Sequence, residues 1–462
     1  MVTENKFSGV LSRILREKSR DRDDKAPEGV SAGYTSSVSC AKEDVSRYDV
    51  YTDFARHPLM QKITVMRTLS KNFHLSDPYF RTLCNVNGVL ATVDGKEVIN
   101  FSSYNYLGLN DDLWVREVAM AAVEKYGTSV GASRLVAGER DFQQVLERKI
   151  ARIYGADDAV VMVSGHATNV SVISTIFGAD DLVLFDSLDH NSIIEGIKLS
   201  GARYFPYPHN DLNALEALLK VHRHKFKRVL IVTEGLFSMD GDIPDLPSLI
   251  NLKHHYGCLL MVDEAHALGV LGRHGLGLHE YWAEQLKSGE DEIKAYDGYL
   301  QRSTDIWMGT LSKTLSSCGG YVAGCQDLID ILRCSAPGFV YSVGISAPAS
   351  EASSAAIDIM LSEPERVSRL QANARLFYDY AVSSGLNVGR CQGFAVIPVI
   401  IGSSRKAVDL AQKLLEEGIN ARPIIHPAVE ERMARLRFFI NIGHTPEMIK
   451  KTVETVARLL QE

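Results

Sequence analysis

Short apolar runs rich in β-branched residues alternate with longer amphipathic segments through the middle of the chain. Segments such as 211–222 and 246–256 have the periodicity of helices. Strands that alternate with helices predict a mostly parallel sheet covered on both faces, in which ligands bind beyond the carboxyl ends of the strands. The runs with the length and composition of buried strands are Ala159–Val163, Leu182–Phe185, Val229–Thr233 and Leu259–Val262.

The pattern changes on either side of this region. Alternating apolar residues around Asp94-Gly95, a preferred tight-turn pair, predict a hairpin over 86–101. After about Tyr341 long helices alternate with strands, which predicts a smaller C-terminal α/β lobe. Residues 1–45 are charge-dense and then small and polar, so we expect a disordered extension or a docking tail. The expected division is 1–45, then 46–105 with a helix and the hairpin, a large domain over 106–340 and a small domain over 341–462.

Composition excludes several classes of protein. The chain has 462 residues, 45% of them hydrophobic and 23% charged, which is ordinary for a globular protein, and its net charge of −7 does not favour nucleic acid. Its seven cysteines are scattered without Cys-x-x-Cys, which indicates a reducing compartment and disfavours a thiolate zinc site. We see no apolar run of about 18 residues and no secretory signal. The expectation is a cytoplasmic protein with no transmembrane segment and no metal.

A lysine in an unusual setting is the strongest candidate for chemistry. Lys313 stands among the hydroxyl residues Thr310 and Ser312, directly after an apolar run, and the strand over 259–262 ends at Asp263. Pyridoxal phosphate needs a lysine for its Schiff base and a carboxylate that keeps its pyridine nitrogen protonated. Seen in isolation, the lysine segment fits a salt bridge equally well. The joint pattern at four successive strand ends favours the cofactor.

Two more strand ends carry suitable residues. Gly165 and His166 follow one strand and begin a helix, whose free N–H groups can bind phosphate, although a plain turn has the same pattern. His190 follows the next strand and could stack on an aromatic ring or cap a helix. The loop over 233–242 brings Glu234 and Ser238 close together, which is unusual for a purely structural loop.

Two arginines alternate with apolar residues near the C-terminus. By strict strand alternation Arg435 and Arg437 share one face, and either could bind the carboxylate of an amino-acid substrate. A solvated strand face explains the same pattern equally well.

A rival interpretation starts from the segment over 263–266, Asp-Glu-Ala-His, which resembles a helicase magnesium motif. A helicase would also need a Gly-x-x-x-x-Gly-Lys-Ser/Thr phosphate loop. The chain contains no such segment, so we reject this alternative.

Taken together, the motifs resemble those of the α-oxoamine synthases, which include 8-amino-7-oxononanoate synthase, 5-aminolevulinate synthase, 2-amino-3-ketobutyrate ligase and serine palmitoyltransferase. The resemblance runs from about residue 75 to the C-terminus. The segments that carry it are Ser-Tyr-Asn-Tyr-Leu-Gly (103–108), Gly-Thr-Ser-Val-Gly-Ala-Ser-Arg (127–134), Ser-Gly-His-Ala-Thr-Asn (164–169), Asp-His-Asn-Ser (189–192), Glu-Gly-Leu-Phe-Ser-Met-Asp-Gly-Asp (234–242), Val-Asp-Glu-Ala-His (262–266) and Gly-Thr-Leu-Ser-Lys (309–313).

The resemblance implies a fold-type-I pyridoxal-phosphate enzyme, an acyltransferase that joins a small amino acid to an acyl thioester, carried on CoA or on an acyl carrier protein, and acts as a homodimer. By motif, Lys313 would carry the cofactor, Asp263 would meet the ring nitrogen, His266 the phenolic oxygen and His190 the ring face. The resemblance also assigns further contacts: phosphate binding to Gly165, His166 and Thr310, with Ser312 beside them, a place along the cofactor to Ser238, and the substrate carboxylate to Asn105 and Arg437.

Departures from the family pattern concern mainly the substrates. His166 stands where many members have an aromatic residue, a change that backbone contacts to phosphate should survive. Arg422-Pro-Ile-Ile-His-Pro427 lacks the threonine that usually contacts substrate. The segments 319–324 and 336–342 look closest to serine palmitoyltransferase and to the synthases of polyketide assembly lines, which suggests an acyl group larger than acetyl.

Two alternatives to a condensing enzyme remain at this stage. A fold-type-I aminotransferase would share Lys313 and Asp263 but would need no thioester. A non-catalytic partner subunit would lack the lysine, so the presence of Lys313 argues against it.

Overall fold

The computed structural model describes residues 51–72 and 79–462, which belong to two compact units, Met1–Leu69 and Ser70–Glu462. In the first unit a 3₁₀ turn (Phe54–Arg56) precedes helix α1 (Pro58–Asn72), which begins in this unit and ends past its last residue, Leu69. The Asp53 side chain caps that turn by accepting a hydrogen bond from the N–H of Ala55 at 2.8 Å. The extension predicted over 1–45 lies outside the described residues.

The second unit has strands and helices in the order that the sequence pattern predicts, with some additions. Its strands are β1 (Cys84–Asn87), β2 (Leu90–Val93), β3 (Lys96–Asn100), β4 (Asp158–Met162), β5 (Leu182–Asp186), β6 (Arg203–Tyr207), β7 (Val229–Glu234), β8 (Leu259–Asp263), β9 (Ile306–Thr310), β10 (Gly320–Gly324), β11 (Val396–Ile400), β12 (Ile419–Asn420), β13 (Arg422–Ile424) and β14 (Arg435–Phe439).

Helices connect and cover these strands. They are α2 (Leu113–Tyr126), α3 (Asp141–Ile153), α4 (Gly165–Ile176), α5 (Asn191–Ser200), α6 (Leu212–His222), α7 (Leu246–Tyr256), α8 (Leu278–Leu286), α9 (Glu290–Ser303), α10 (Gln326–Ser335), α11 (Pro337–Val340), α12 (Ala347–Ser362), α13 (Pro364–Ser383), α14 (Ser404–Glu416) and α15 (Pro446–Gln461). No helix in the described ranges combines the length and the apolar character that crossing a membrane requires.

A seven-stranded sheet forms the centre of this unit, in the order β4-β10-β9-β8-β7-β5-β6. The five strands from β9 to β6 run parallel, and only β10 is antiparallel to its neighbours. Every residue of β5, β7 and β9 is buried, as expected for strands covered on both faces. The predicted α/β fold with a mostly parallel sheet is therefore confirmed.

Strand β10 was not predicted from the sequence, because glycines such as those at both of its ends are not typical of a strand. Packing nevertheless requires the glycine at the first position of the strand, Gly320. A Cβ at Gly320 would lie 2.6 Å from the Cα of Gly165, at the start of α4. The absence of a side chain lets β10 approach the turn that begins α4.

The predicted hairpin is confirmed by β2 and β3, which pair antiparallel with Asp94 and Gly95 at the turn, both at positive φ. Strand β12 from the C-terminal part of the chain extends the same sheet, parallel to β3. Strands β11, β14 and β13 form a separate three-stranded sheet. The domain boundaries drawn at 105 and 340 stay a prediction.

Candidate active site

A cavity of about 350 Å³ opens at the carboxyl ends of β4, β5, β7, β8 and β9. Parallel strands bring their ends to one edge of a sheet, so residues far apart in sequence meet there. The cavity is lined by Tyr104, Ser164, Gly165, His166, Asn169, His190, Ser192, Glu234, Ser238, Asp263, Ala265, His266, Met308, Thr310, Ser312, Lys313 and Arg437. All the predicted cofactor-binding residues and Arg437 are among them, and Asn105 is not.

Lys313 follows β9 and projects its amine into the cavity, 5.6 Å from the centre of the Tyr104 ring. Burial lowers the pKa of Lys313 to about 8, and Arg437 acts in the same direction, while Asp263 and Glu234 oppose the shift. A lysine with a lowered pKa holds an appreciable share of free amine near neutral pH. That form is required for a nucleophile or a general base.

Asp263 ends β8 as a buried carboxylate held by two donors. Its Oδ2 accepts from the Asn169 side-chain amide at 2.8 Å, and its Oδ1 accepts from the N–H of Ala265 at 3.0 Å. The same Asn169 amide donates to the Ser192 hydroxyl at 2.9 Å, which ties α4 to α5. These contacts orient the carboxylate toward the cavity.

His190 caps α5 and also lines the cavity, whereas its stacking on an aromatic ring stays a prediction. Its Nδ1 accepts from the N–H of Ser192 at 3.3 Å and lies 2.7 Å from the Ser192 hydroxyl. The cap holds the imidazole ring in one orientation. Partial burial lowers the pKa of His190, which favours the neutral form of the ring.

His266 is buried, and its Nδ1 lies 2.7 Å from the hydroxyl of Tyr106. Burial lowers its pKa well below the usual range, and the charges of Lys313 and Arg437 act in the same direction. The ring is therefore neutral at physiological pH. It stacks on Phe439 and meets Tyr104 edge-on.

The start of α4 and the end of β9 form one polar corner of the cavity. The Ser164 hydroxyl caps α4 by accepting from the N–H of Ala167 at 3.1 Å. The hydroxyls of Thr310 and Ser312 lie 2.8 Å apart beside it. A Cβ at Gly165 would come within 3.0 Å of the Thr310 hydroxyl oxygen, so the glycine keeps this corner open. A helix N-terminus with adjacent hydroxyls fits a phosphate group.

Glu234 ends β7 opposite Asp263 in the register of the sheet. Its Oε2 accepts from the N–H of Ser238 at 3.0 Å, whereas its buried Oε1 has no partner among the described residues. Burial raises the pKa of Glu234 to about 8, and the charge of Asp263 adds to the effect. The raised pKa favours the protonated form of Glu234 at neutral pH.

The two arginines on β14 share a face, as predicted, but differ in what they contact. Arg435 is buried in an ion pair with Asp240 and donates to the carbonyl of Met239 at 2.8 Å. Arg437 lines the cavity and donates one Nη1 bond to the carbonyl of Ser238 at 2.7 Å. Its buried Nε has no partner among the described residues. Arg437 is therefore the arginine with capacity for a ligand.

Asn105 occupies a turn outside the cavity lining. Its Nδ2 donates to Asp111 at 3.5 Å, its Oδ1 accepts from the N–H of Asn110 at 3.2 Å, and its carbonyl accepts from Asn441. A contact between Asn105 and a substrate carboxylate stays a prediction.

Several residues of the site were not singled out from the sequence. Asn169, Tyr104 and Tyr106 lie inside motifs that carry the family resemblance, which is the signal that could have found them. Their partners are distant in sequence: Asn169 contacts Asp263, and Tyr106 contacts His266.

A second group of ligating side chains lies beside the cavity: His209, Asp240 and Asp242. Each already has a protein partner, because His209 Nε2 bonds Asp242 at 2.8 Å and Asp240 pairs with Arg435. A guanidinium at this position disfavours a divalent cation. The group is a hydrogen-bonded clamp that joins the loop after β6, which carries His209, to the loop after β7, which carries Asp242.

The residues of the cavity fit pyridoxal phosphate. The corner formed by Gly165 and Thr310 is open for a phosphate, Asp263 supplies a fixed carboxylate, and Lys313 supplies an amine of lowered pKa. Together with the mostly parallel sheet, this set of donors defines a pyridoxal-phosphate enzyme of fold type I.

Comparison with known proteins identifies the family. Residues 96–456 match the model for aminotransferase class I and II. The chain is 38% identical over 384 residues to 8-amino-7-oxononanoate synthase of Geobacter sulfurreducens, covering 83% of this chain and 94% of that protein. It is 34% identical over 385 residues to serine palmitoyltransferase of Sphingobacterium spiritivorum, covering 83% and 91%.

A solved structure of SPT with PLP superposes with a TM-score of 0.81 at 24% identity, covering 88% of this chain and 98% of the other. The chain belongs to the α-oxoamine synthases, acyltransferases that use pyridoxal phosphate and share the class I and II aminotransferase fold. The predictions of family, fold type, enzyme class and cofactor are confirmed.

Proposed function

We propose that this protein condenses a small L-amino acid (glycine, alanine or serine) with an acyl thioester and releases CO₂ and a free thiol to form an α-amino ketone. The acyl group is carried on CoA or on an acyl carrier protein. The observation that carries the proposal is one cavity that holds the amine of Lys313, the fixed carboxylate of Asp263 and the guanidinium of Arg437. The named relatives condense substrates of this kind.

Arg437 is proposed to bind the carboxylate of the amino acid. Its guanidinium is held by the carbonyl of Ser238 at 2.7 Å and by contact with the Phe439 ring, 4.6 Å away. Its remaining N–H groups, including the unpartnered Nε, match the two oxygens of a carboxylate. The carboxylate is the group that leaves as CO₂ after condensation.

Lys313 is proposed to remove the Cα proton of the bound amino acid and to return a proton later. When bound, pyridoxal phosphate withdraws electrons from that carbon. Asp263 would keep the ring nitrogen protonated, which strengthens the withdrawal. A free amine is the base that this step needs, and the low pKa of Lys313 provides it near neutral pH.

The central experiment supplies a panel of amino acids, each with and without an acyl-CoA, and measures thiol and CO₂. We expect both products in equal amounts only when both substrates are present. Formation of a 2-oxo acid from an amino acid without any added thioester would indicate the aminotransferase alternative. Absence of turnover with every CoA and carrier-protein thioester would favour a non-catalytic partner.

A homodimer is the proposed assembly. Helix α2 exposes Leu113, Trp114 and Met120, with 72%, 57% and 58% of their surfaces accessible, an apolar face that a second copy could cover. Light scattering should give twice the chain mass of 51.0 kDa. A mass of 51.0 kDa at micromolar concentration would contradict the proposal.

A cytoplasmic location is proposed on the basis of the cysteines. The six in the described part of the chain are free, which fits a reducing compartment. Cell fractionation of the tagged protein tests this point, and recovery in a secreted fraction would contradict it.

A further inference from the structure

The contact between Tyr106 and His266 has a chemical consequence beyond packing. Both side chains are buried, Tyr106 completely, and the phenol oxygen lies 2.7 Å from His266 Nδ1. A neutral imidazole carries one proton, on either Nδ1 or Nε2, and the partner of each nitrogen decides which. The direction of this single hydrogen bond therefore sets what the other nitrogen can do.

Only one direction of this hydrogen bond, from the Tyr106 hydroxyl to His266 Nδ1, gives the buried phenol O–H an acceptor. Burial raises the pKa of Tyr106 well above the usual range, so the phenol keeps its proton. Among the described residues, His266 Nδ1 is the one recorded partner of this hydroxyl. If Nδ1 donated instead, the phenol O–H would be left buried without an acceptor, which proteins rarely tolerate.

We propose that Tyr106 holds His266 in the tautomer with its proton on Nε2 and so makes this histidine a hydrogen-bond donor into the cavity. Tyr106 is thus a positioning residue that acts through His266. Nε2 has no partner within the part of the chain that the structure describes. An acceptor oxygen on the bound ring would complete the hydrogen bond, and this step rests on the cofactor contact assigned to His266.

The backbone around Tyr106 keeps the phenol in place. Its carbonyl accepts from the N–H of Ile442 at 3.1 Å, and its N–H donates to the carbonyl of Tyr104 at 2.9 Å. The ring also lies edge-on to His266 and Phe439. Removal of the hydroxyl alone should therefore leave the ring where it is and change only the hydrogen bond.

The direct test is the nitrogen NMR spectrum of cofactor-free protein labelled with ¹⁵N-histidine, with His266 assigned through a His266→Asn variant. We expect an unprotonated, hydrogen-bonded Nδ1 and a protonated Nε2 in the wild type. A protonated Nδ1 in the wild type would overturn the proposal whatever the variants do.

The matched pair of variants is Tyr106→Phe and Tyr207→Phe. Tyr207 is equally buried, and its hydroxyl donates to the carbonyl of Val232 at 3.1 Å, away from His266. Tyr106→Phe should shift the Nδ1 resonance and reveal a share of the Nδ1-protonated tautomer, whereas Tyr207→Phe should do neither. An unchanged His266 spectrum in Tyr106→Phe would overturn the proposal.

A second measurement, on the holoenzyme, distinguishes the tautomer of His266 from the contact between His266 and the cofactor. In the holoenzyme, loss of the Nε2 donor should raise the pH midpoint of the cofactor's visible absorbance by about one unit, a tenfold change in that equilibrium. If the NMR result holds but the midpoint does not move, the tautomer stands and the cofactor contact assigned to His266 is wrong. If the pH midpoint shifted as much in Tyr207→Phe as in Tyr106→Phe, the shift would not depend on the Tyr106 hydroxyl, and the role proposed for Tyr106 would be wrong.

Discussion

Two groups of polar and charged side chains in the described part of the chain are organised in opposite ways. In the paired cluster, the charges pair with one another; its members are Arg134, Glu139, Glu147, Asp158 and Arg333. Glu147 accepts from both arginines and from the N–H of Val161, and Arg333 also bonds Asp158 at 2.6 Å. None of its buried side-chain atoms lacks a partner in the residues described.

The cavity differs in this respect. Asn169 Oδ1, Glu234 Oε1 and Arg437 Nε are buried there and have no partner among the described residues. Unpaired buried polar atoms cost free energy, and these three side chains line the cavity, where a bound ligand would complete their hydrogen bonds. The contrast is between charged side chains that pair with one another and polar side chains of the cavity that keep unpaired atoms. Each group should therefore respond differently to mutation.

The largest effect is expected from Lys313→Ala. Loss of the base should reduce turnover by at least about 10²–10⁴-fold and should abolish the visible absorbance of the lysine-bound cofactor. Stability should not fall, because Lys313 has no ion-pair partner in the described ranges. Steady-state kinetics, absorbance and thermal unfolding measure the three quantities.

Lys253→Ala is the matched control, since Lys253 is buried in an ion pair with Asp305 at 2.8 Å and also bonds the carbonyl of Ser303. It should lower stability and leave the cofactor absorbance of the folded protein unchanged. Retained turnover in Lys313→Ala would contradict the role of Lys313 as the base.

In the paired cluster, Glu147→Ala should destabilise the protein by about 3–5 kcal/mol, because two arginines lose their shared carboxylate in a buried setting. The folded fraction should still bind the cofactor with normal absorbance. Denaturant unfolding with and without cofactor tests this. A loss of stability below about 1 kcal/mol would show that the cluster does not hold the fold.

The clamp at His209 is intermediate between the paired cluster and the cavity. Its side chains are paired with one another, but they position two loops of the site. Burial by itself would lower the pKa of His209, but hydrogen bonds to Asp186 and Asp242 outweigh it and raise the pKa to about 9. Because the unfolded value is about 6.5, the stabilisation is complete below that pH and is lost as the pH rises toward 9.

Unfolding of wild type and His209→Asn at several pH values measures this contribution. The stability difference should shrink by about 2–3 kcal/mol between pH 6 and pH 9.5. A difference that is constant with pH would mean that His209 is neutral in the folded protein.

The smallest effects should come from the two arginines of β14, which allow the sharpest comparison. Arg437→Lys should raise KM for the amino acid by about 10–100-fold, since lysine cannot bind a carboxylate bidentately. Arg435→Lys should instead lower stability through its ion pair with Asp240 and leave KM within about threefold. Equal changes of KM in both variants would remove the distinction between the cavity and the buried pair.

Much of the fold is predictable because its signals are local. The apolar runs at β4, β5, β7 and β8 match the observed strands to within one or two residues, and Asp94-Gly95 marks the turn of the hairpin. Strand β10 was missed in part because Gly320 is explained by a contact with Gly165, 155 residues away in sequence (320 − 165). A local pattern carries no information about such a contact.

The site divides in the same way. The residue types at strand ends, Lys313 and Asp263 above all, follow from the chain's own pattern and from the rule that parallel strands end at one edge. Which partner each acquires does not follow. Arg435 and Arg437 are equivalent in the pattern, and only packing against the 238–240 loop gives one an ion pair and the other a place in the cavity.

Local composition and periodicity are properties of neighbouring residues, so the chain alone suffices for the class of fold and the identity of the chemical groups, and its motifs resemble those of the family. Hydrogen-bond partners and pKa values depend on distances between remote segments and on burial, which exist only after packing. The bond from Tyr106 to His266 spans 160 residues, and the burial that lowers the pKa of Lys313 arises from several strand ends meeting. Folding therefore turns a set of suitable side chains into a site with defined protonation.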